Sequence, residues 1–481
     1  MSTYADRLLD LTFRLPGWAI GAACAFGAIA LGWAYVNRPM LALLPALVFV
    51  SLPLVLSARA RLIVVVFGAL TVFQSSDELT APKLLYLFAL GISFGAVLVR
   101  LPSLTGTSAF RDLGPLLRAS VVTFALVIAS LPVSMLNEVP QKSWLRDVAP
   151  YVLVACAPFF ALDAQASMPV KTLRRMLVVG GTLGALGFTV RWLTNRQIAD
   201  LSFIPVGLPT LLLASTVFAF GAAVLLHGGR HRLAWAAFIS LVFAMLLSTG
   251  TRAALALVAA PLAIVFGSHH RLAQRSVRLL VAAPLVALLV VLGAQAVLSA
   301  TNADRDALTA RASLLFATGD RRADPSYVER LGQTAAAWET FRSAPIIGTG
   351  PGKPIVWTNA LTNEVSESTT IDSPVSYLAK FGVVGLIAFG YLVVGYLAAL
   401  RRFRVHTEGP TIIQLTAVGF GAVVAASSLL HNPYEDKGFA IGLILLLAVA
   451  AREASDAALA SRAQDLRAGG LPTEATNSLV S

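Results

Sequence analysis

The chain has 481 residues, of which 57% are hydrophobic and only 13% charged, and its mean hydropathy is +0.76. Such values exclude a water-soluble domain of this length and point to a polytopic membrane protein. The net charge of +12 would suit nucleic acid, but the charges sort by loop instead of gathering in one patch, so nucleic acid is set aside as a partner.

In chain order, the first apolar run, Gly17 to Tyr35, follows Arg7 and Arg14. It is longer than the apolar part of a signal peptide and lacks a small-x-small cleavage site, so it is read as a retained span. Runs long enough to cross a bilayer follow at 40–57, 62–75, 83–99, 116–136, 148–163, 174–194, 203–227, 232–249, 252–267 and 279–299, and again at 373–400, 411–430 and 437–452. Those at 62–75 and 148–163 are short, and the expected fold is an all-α bundle of 12–14 transmembrane helices. Cys24 and Cys156 both fall inside spans and carry no redox message.

Counting both termini as cytoplasmic, alternate loops hold 21 of the 37 Lys and Arg, among them Arg59, Arg61, Arg100, Arg111, Arg118, Arg174, Arg402 and Arg452, against 8 in the opposite short loops. This bias is the topogenic signal of an inner-membrane protein. Residues 1–452 read as one transmembrane domain, and the Ala/Ser/Asp-rich stretch 453–481 as a mobile cytoplasmic tail. The long loop 300–372 falls on the side away from the basic loops. Within it, Asp324 as N-cap, Pro325 at the first position and Pro345 as a stop predict a helix at about 325–343. Val328, Leu331, Ala335 and Trp338 give that helix an apolar stripe for the bundle or the membrane surface, with Glu329 and Arg330 off the stripe.

Several residues could carry chemistry on that face. Arg252 stands between two long apolar runs, where a guanidinium costs at least ~2.5 kcal/mol unless it reaches a surface or a partner. It follows Ser248, Thr249, Gly250 and Thr251, a small hydroxyl-rich turn whose backbone donors could approach an anion. It is either a snorkelling residue or an anion clamp. Arg330, with Arg321 and Arg322 upstream, either decorates a solvated loop or grips phosphate bidentately. His431, Asn432, Glu435, Asp436 and Lys437, in the polar turn between the last two spans, either build that turn or line the site, with His431 and Glu435 as the candidate site residues. Gly348–Gly352, GTGPG, follows a helix instead of a strand, so it reads as a tight turn returning the loop to the membrane, not a nucleotide loop.

The segments STGTRAALAL, ERLGQTAAAWETFRSAPIIGTGPG and DSPVSYLAKFGVVGLIAF together resemble the O-antigen ligase and polymerase superfamily of bacterial membrane glycosyltransferases, over about 240 to 400. The resemblance implies a C-type glycosyltransferase membrane fold with a periplasmic active site. There a glycan would pass from an undecaprenyl-pyrophosphate donor to an acceptor hydroxyl, with neither metal nor other cofactor. It places the two diphosphate-holding arginines on Arg252 and Arg330. It implies membrane lipid and a chain-length regulator or flippase of the same pathway as partners. Ligases of this family carry a His-Asn pair where this chain reads Ile371-Asp372, so a ligase's histidine has no counterpart here. Asp372, desolvated by Pro374 and Tyr377, would instead accept the acceptor's proton, or else simply cap the helix starting at Ser373. The reading favours a polymerase of O-antigen or exopolysaccharide units, with a ligase to lipid A-core as the alternative and a lipid-linked oligosaccharide flippase or other transporter as the rival from another class.

Overall fold

The computed structural model describes residues 51–72, 81–194, 210–227, 231–247, 256–262, 325–358, 363–404, 411–429 and 431–468. Its elements are α1 (Ala58–Val72), α2 (Ala81–Leu104), α3 (Ser108–Leu136), α4 (Gln141–Ser167), α5 (Val170–Thr194), α6 (Leu211–His227), α7 (Arg232–Leu247), α8 (Pro325–Ser343), a hairpin of β1 (Ile355–Thr358) and β2 (Val365–Ser368), α9 (Ser376–Arg404), α10 (Ile412–Ser428) and α11 (Lys437–Ala468). Among them five are long and apolar enough to cross a membrane: α2, α3, α4, α9 and α11. The protein is an all-α polytopic membrane protein, as its composition requires. The spans expected at 17–36 and 279–299, and the first part of that at 40–57, lie outside the described residues.

The centre is set by which helices are apolar all round. In α4 and α11, 78% and 83% of the most apolar stretch is buried inside the protein, whereas α2 and α3 leave most of theirs on the outside, as lipid-facing helices do. Rings close the packing between these layers: Tyr151 of α4 meets Phe381 and Phe389 of α9 at 4.9 and 5.6 Å, and Phe420 of α10 stacks on Phe439 of α11.

Two expectations are corrected by the helix lengths. The run at 148–163, short as an apolar stretch, is the middle of the 27-residue α4, whose first turns add polar residues at the end of the span: Gln141 and Lys142 stay exposed and Asp147 is buried. Likewise α11 runs on to Ala468, so the first part of the expected mobile tail, 453–468, is helix. Glu453 is tied to Arg174 of α5 at 2.6 Å, and Arg452 pairs with Asp456 one turn on.

The ends of the bundle differ in chemistry. At one end Asp163, near the end of α4, binds both Arg61 of α1 at 2.7 Å and Arg100 of α2, and Ser108 at the start of α3 lies 3.5 Å from Ser455 of α11. The end of α9 arrives there too, with Arg402 bonded to the carbonyl of Arg111. The arginines that the sequence groups in alternate loops therefore share one basic end. The α3–α4 turn, α8, the hairpin, the start of α9 and the 3-10 turn Pro433–Glu435 gather at the other.

A break in α9 positions that other end. Gly382 has φ +61°, and a Cβ there would fall 2.4 Å from the carbonyl oxygen of Ile346. Only glycine takes this turn without strain. The break frees backbone groups at membrane depth, and the loop after α8 takes them up. Val383 and Val384 donate to the carbonyls of Pro345 and Ile346 at 2.9 and 3.1 Å, while Thr349 and Gly350 donate to Ala379 and Lys380 at 2.9 and 3.0 Å. The GTGPG segment is thus a buried strap across a broken helix, more than the tight turn its glycines suggest. It also reaches the α3–α4 turn, where Ser134 donates to the Pro351 carbonyl at 2.9 Å.

Candidate functional site

Beneath the strap lies a charged cluster. Lys380, 1% exposed, donates to Asp147 of α4 and to Glu435, both at 2.7 Å. Asp147 also accepts the Gly352 N–H at 2.7 Å, so the strap is pinned to α4. Glu435 accepts from Tyr151 at 2.8 Å and from Asn432 at 3.1 Å, and Asn432 donates to the Tyr151 hydroxyl at 2.7 Å. One ammonium faces two carboxylates, each with further donors, which is how charge is tolerated inside a membrane domain. Glu435, expected to build the polar turn or line the site, is committed to this cluster. His431 sits at the start of the same turn with its ring against the Ser427 hydroxyl, 3.0 Å from Nε2. Burial pushes the Tyr434 hydroxyl up to about 12, with Tyr377 nearby adding to the shift. Burial also raises Asp436 above the usual carboxylate range, against the opposing pull of His431 and Lys437 and the Gly438 N–H.

Above the strap, α8 occupies the bounds expected of it, rotated so that its apolar stripe takes the outer of the two surfaces open to it. Its inward face is Gln333 and Ala337, where Ala337 packs with Ile355, Trp357, Ile371 and Ala379. Leu331 and Trp338, half of the expected apolar stripe, are 52% and 42% exposed. Small residues allow the hairpin and the first turn of α9 to approach this side of the helix, with Gly332 beside the Thr358 carbonyl. The larger apolar side chains are left for the membrane surface and a groove.

That rotation turns Arg330 toward Asp372. The two make an ion pair at 2.7 Å, with 41% and 46% of their side chains exposed, and the Asp372 N–H donates to Gln333 at 2.9 Å. Asp372 is therefore neither desolvated nor a helix cap. A turn at Pro374–Val375 precedes α9, which opens at Ser376 with its amide on the Ser373 carbonyl at 3.3 Å, and the Ser373 hydroxyl accepts from the Val375 N–H. Farther along, a groove of about 390 Å³ is walled by Trp338, Pro374, Tyr377, Leu386, Phe389 and Tyr434. Leu386 of α9 is exposed, so the groove opens to the outside of the bundle. Arg146 at the start of α4 bonds Thr369 beside Asp372. Arg252, Thr251, Arg321 and Arg322 lie outside the described residues. No three His, Cys, Asp or Glu side chains converge among the described residues as a metal site requires.

Asn432 belongs to the polar turn that the sequence offers as a lining of the site, but Lys380, Asp147 and Tyr151 carry no such mark, although Lys380 is the clearest charge inside a predicted span. An ionised residue at such depth demands a partner, and Asp147 at the start of another span was the signal.

The fold and this end of it define a polytopic membrane protein with a charged, strapped site where a broken helix meets an extramembrane helix. Residues 235–390, about a third of the chain, match the family model described as O-antigen ligase. That stretch runs from α7 through α8, the hairpin and the break in α9, so the likeness to the O-antigen ligase family covers the part of the chain that builds this end of the bundle. No curated protein matches the chain.

Proposed function

We propose that this protein is a glycosyltransferase that moves a glycan from a polyprenyl-diphosphate carrier to an acceptor hydroxyl at the end of the bundle opposite the basic one. The observation that carries the proposal is Arg330, held by Asp372 on a helix strapped to the bundle, near an apolar groove open to the outside of the bundle. The groove takes the prenyl chain, and Arg330 faces the diphosphate, with Arg252 as the second clamp that the family resemblance implies and Arg321, Arg322 and Thr251 as further donor-binding residues. As the glycosidic bond breaks, negative charge builds on the departing diphosphate, and a guanidinium already fixed in place stabilises it without reorganising.

In this reading Asp372 aims Arg330; a general base would be better served by a carboxylate less open to water. Polymerisation of lipid-linked repeat units is favoured over ligation to lipid A-core because Ile371-Asp372 stands where the ligases carry His-Asn. The site then faces the periplasm, both termini are cytoplasmic and the protein resides in the bacterial inner membrane. Purified protein supplied with an undecaprenyl-pyrophosphate-linked repeat unit should form longer lipid-linked chains without added metal, and Arg330→Ala should reduce this at least a hundredfold, Arg330→Lys nearly as much. Transport of the donor without transfer would replace the proposal with a flippase. Full-length polymer accumulating on the carrier in a deletion strain would replace polymerase with ligase.

A further inference from the structure

At the basic end, α3 presents Arg111, Gly114 and Arg118 at three- and four-residue spacing, hence on one face. Arg402 from the end of α9 joins them around a cavity of about 610 Å³. Pro115 explains how Arg402 is placed. It has no N–H to give to the carbonyl four residues earlier, which belongs to Arg111, and Arg402 donates to that carbonyl instead. The other arginines that bind across helices at this end each have a carboxylate beside them: Arg61 and Arg100 share Asp163, Arg174 has Glu453 and Arg452 has Asp456. Among the described residues, Arg111, Arg118 and Arg402 have no carboxylate within ion-pair distance. The cavity wall beyond them is apolar, with Leu117, Val121 and Phe159 continuing toward the middle of the membrane. Gly114 opens it further, since a Cβ there would meet nothing within 4 Å.

We infer that this cavity binds an anionic phospholipid of the leaflet at the basic end, its phosphate among the three guanidiniums and an acyl chain along the apolar wall. Three guanidiniums with no carboxylate partner among the described residues fit a phosphate, and the apolar continuation fits a lipid better than a free ion. The inference rests on the membrane-spanning fold and not on the glycosyltransferase reading.

The test uses the full chain purified in a neutral detergent, with dioleoyl phosphatidylglycerol, dioleoyl phosphatidylcholine or inorganic phosphate added, and bound lipid counted by native mass spectrometry. Phosphatidylglycerol should be retained in preference to phosphatidylcholine. Arg118→Gln should weaken its binding about fivefold. Gly114→Leu, which fills the cavity without removing charge, should abolish retention. Arg59→Gln with Arg175→Gln, exposed arginines at the same end but outside the cavity, should leave it intact. Equal retention of both lipids, an equal loss in the Arg59/Arg175 control, unchanged retention in folded Gly114→Leu, or displacement of the lipid by millimolar phosphate would each overturn the inference.

Discussion

Replacing Lys380 by Met keeps much of the side chain's volume and removes its charge. In the folded protein Asp147 would keep only the Gly352 N–H, and Glu435 only the donors from Tyr151 and Asn432, while both carboxylates stay out of water. Removing one side of such a buried arrangement costs roughly 3–5 kcal/mol. The cost comes from the stranded acids, so it should nearly vanish once they are neutral: in an Asp147→Asn, Glu435→Gln background, where each amide still accepts the neighbouring N–H or O–H, Lys380→Met should cost under about 1 kcal/mol. Unfolding of the purified protein by SDS titration, followed by tryptophan fluorescence for all four corners of the cycle, measures both quantities. A loss of the same size in both backgrounds would refute the electrostatic account and assign Lys380 a packing role through its stem.

Three further outcomes follow from the geometry. Asp372→Asn should lower turnover through a less well-aimed Arg330 while changing stability by no more than about 1 kcal/mol, since the pair is nearly half exposed; a large stability loss with turnover unchanged would make it a structural pair only. Gly382→Ala places a Cβ against the Ile346 carbonyl and forces a positive φ on alanine, so it should destabilise by at least about 1–2 kcal/mol in the same SDS assay, whereas Gly390→Ala, which meets nothing within 4 Å, should stay within about 1 kcal/mol. For Asp436 the folded protein favours the protonated form, so its contribution is fully present below the unfolded value of about 3.9 and is lost as pH rises through the raised folded value; Asp436→Asn, which still accepts the Gly438 N–H, should flatten the stability profile over that window and raise stability at neutral pH.

Local signals were readable because they act over a few residues. Pro325 and Pro345 bracket α8 within its observed bounds, and the charge bias between alternate loops corresponds to one basic end. The segment that resembles the family, about 240 to 400, overlaps the matched stretch 235–390 almost completely. What failed to show depends on contacts far apart along the chain. Lys380 and Asp147 are 233 residues apart, and no pattern in either segment names the other. The break at Gly382 looks like any glycine in an apolar run until the strap is beside it. Which of its two possible surfaces the apolar stripe of α8 would take was not readable, because the hairpin and α9 reward a small face that allows close approach, and hydrophobic periodicity carries no record of such steric room. Asp372 is a good cap by composition, but Pro374 inserts a turn before the helix and leaves the carboxylate free to meet Arg330.

The strap across α9 also acts as a ruler. Four backbone bonds tie residues 345–350 to the two sides of the Gly382 break, so the residue count from Arg330 to the strap fixes how far the guanidinium stands from the bundle. Length changes in this stretch should be tolerated very unevenly: one residue added between Ile346 and Thr349 would put the two pairs of bonds out of step with each other, while one added at the tip between β1 and β2 leaves both anchors where they are. Natural drift in this protein is accordingly free to lengthen the hairpin and to redraw what it meets, while the strap itself admits substitutions but hardly any insertion or deletion.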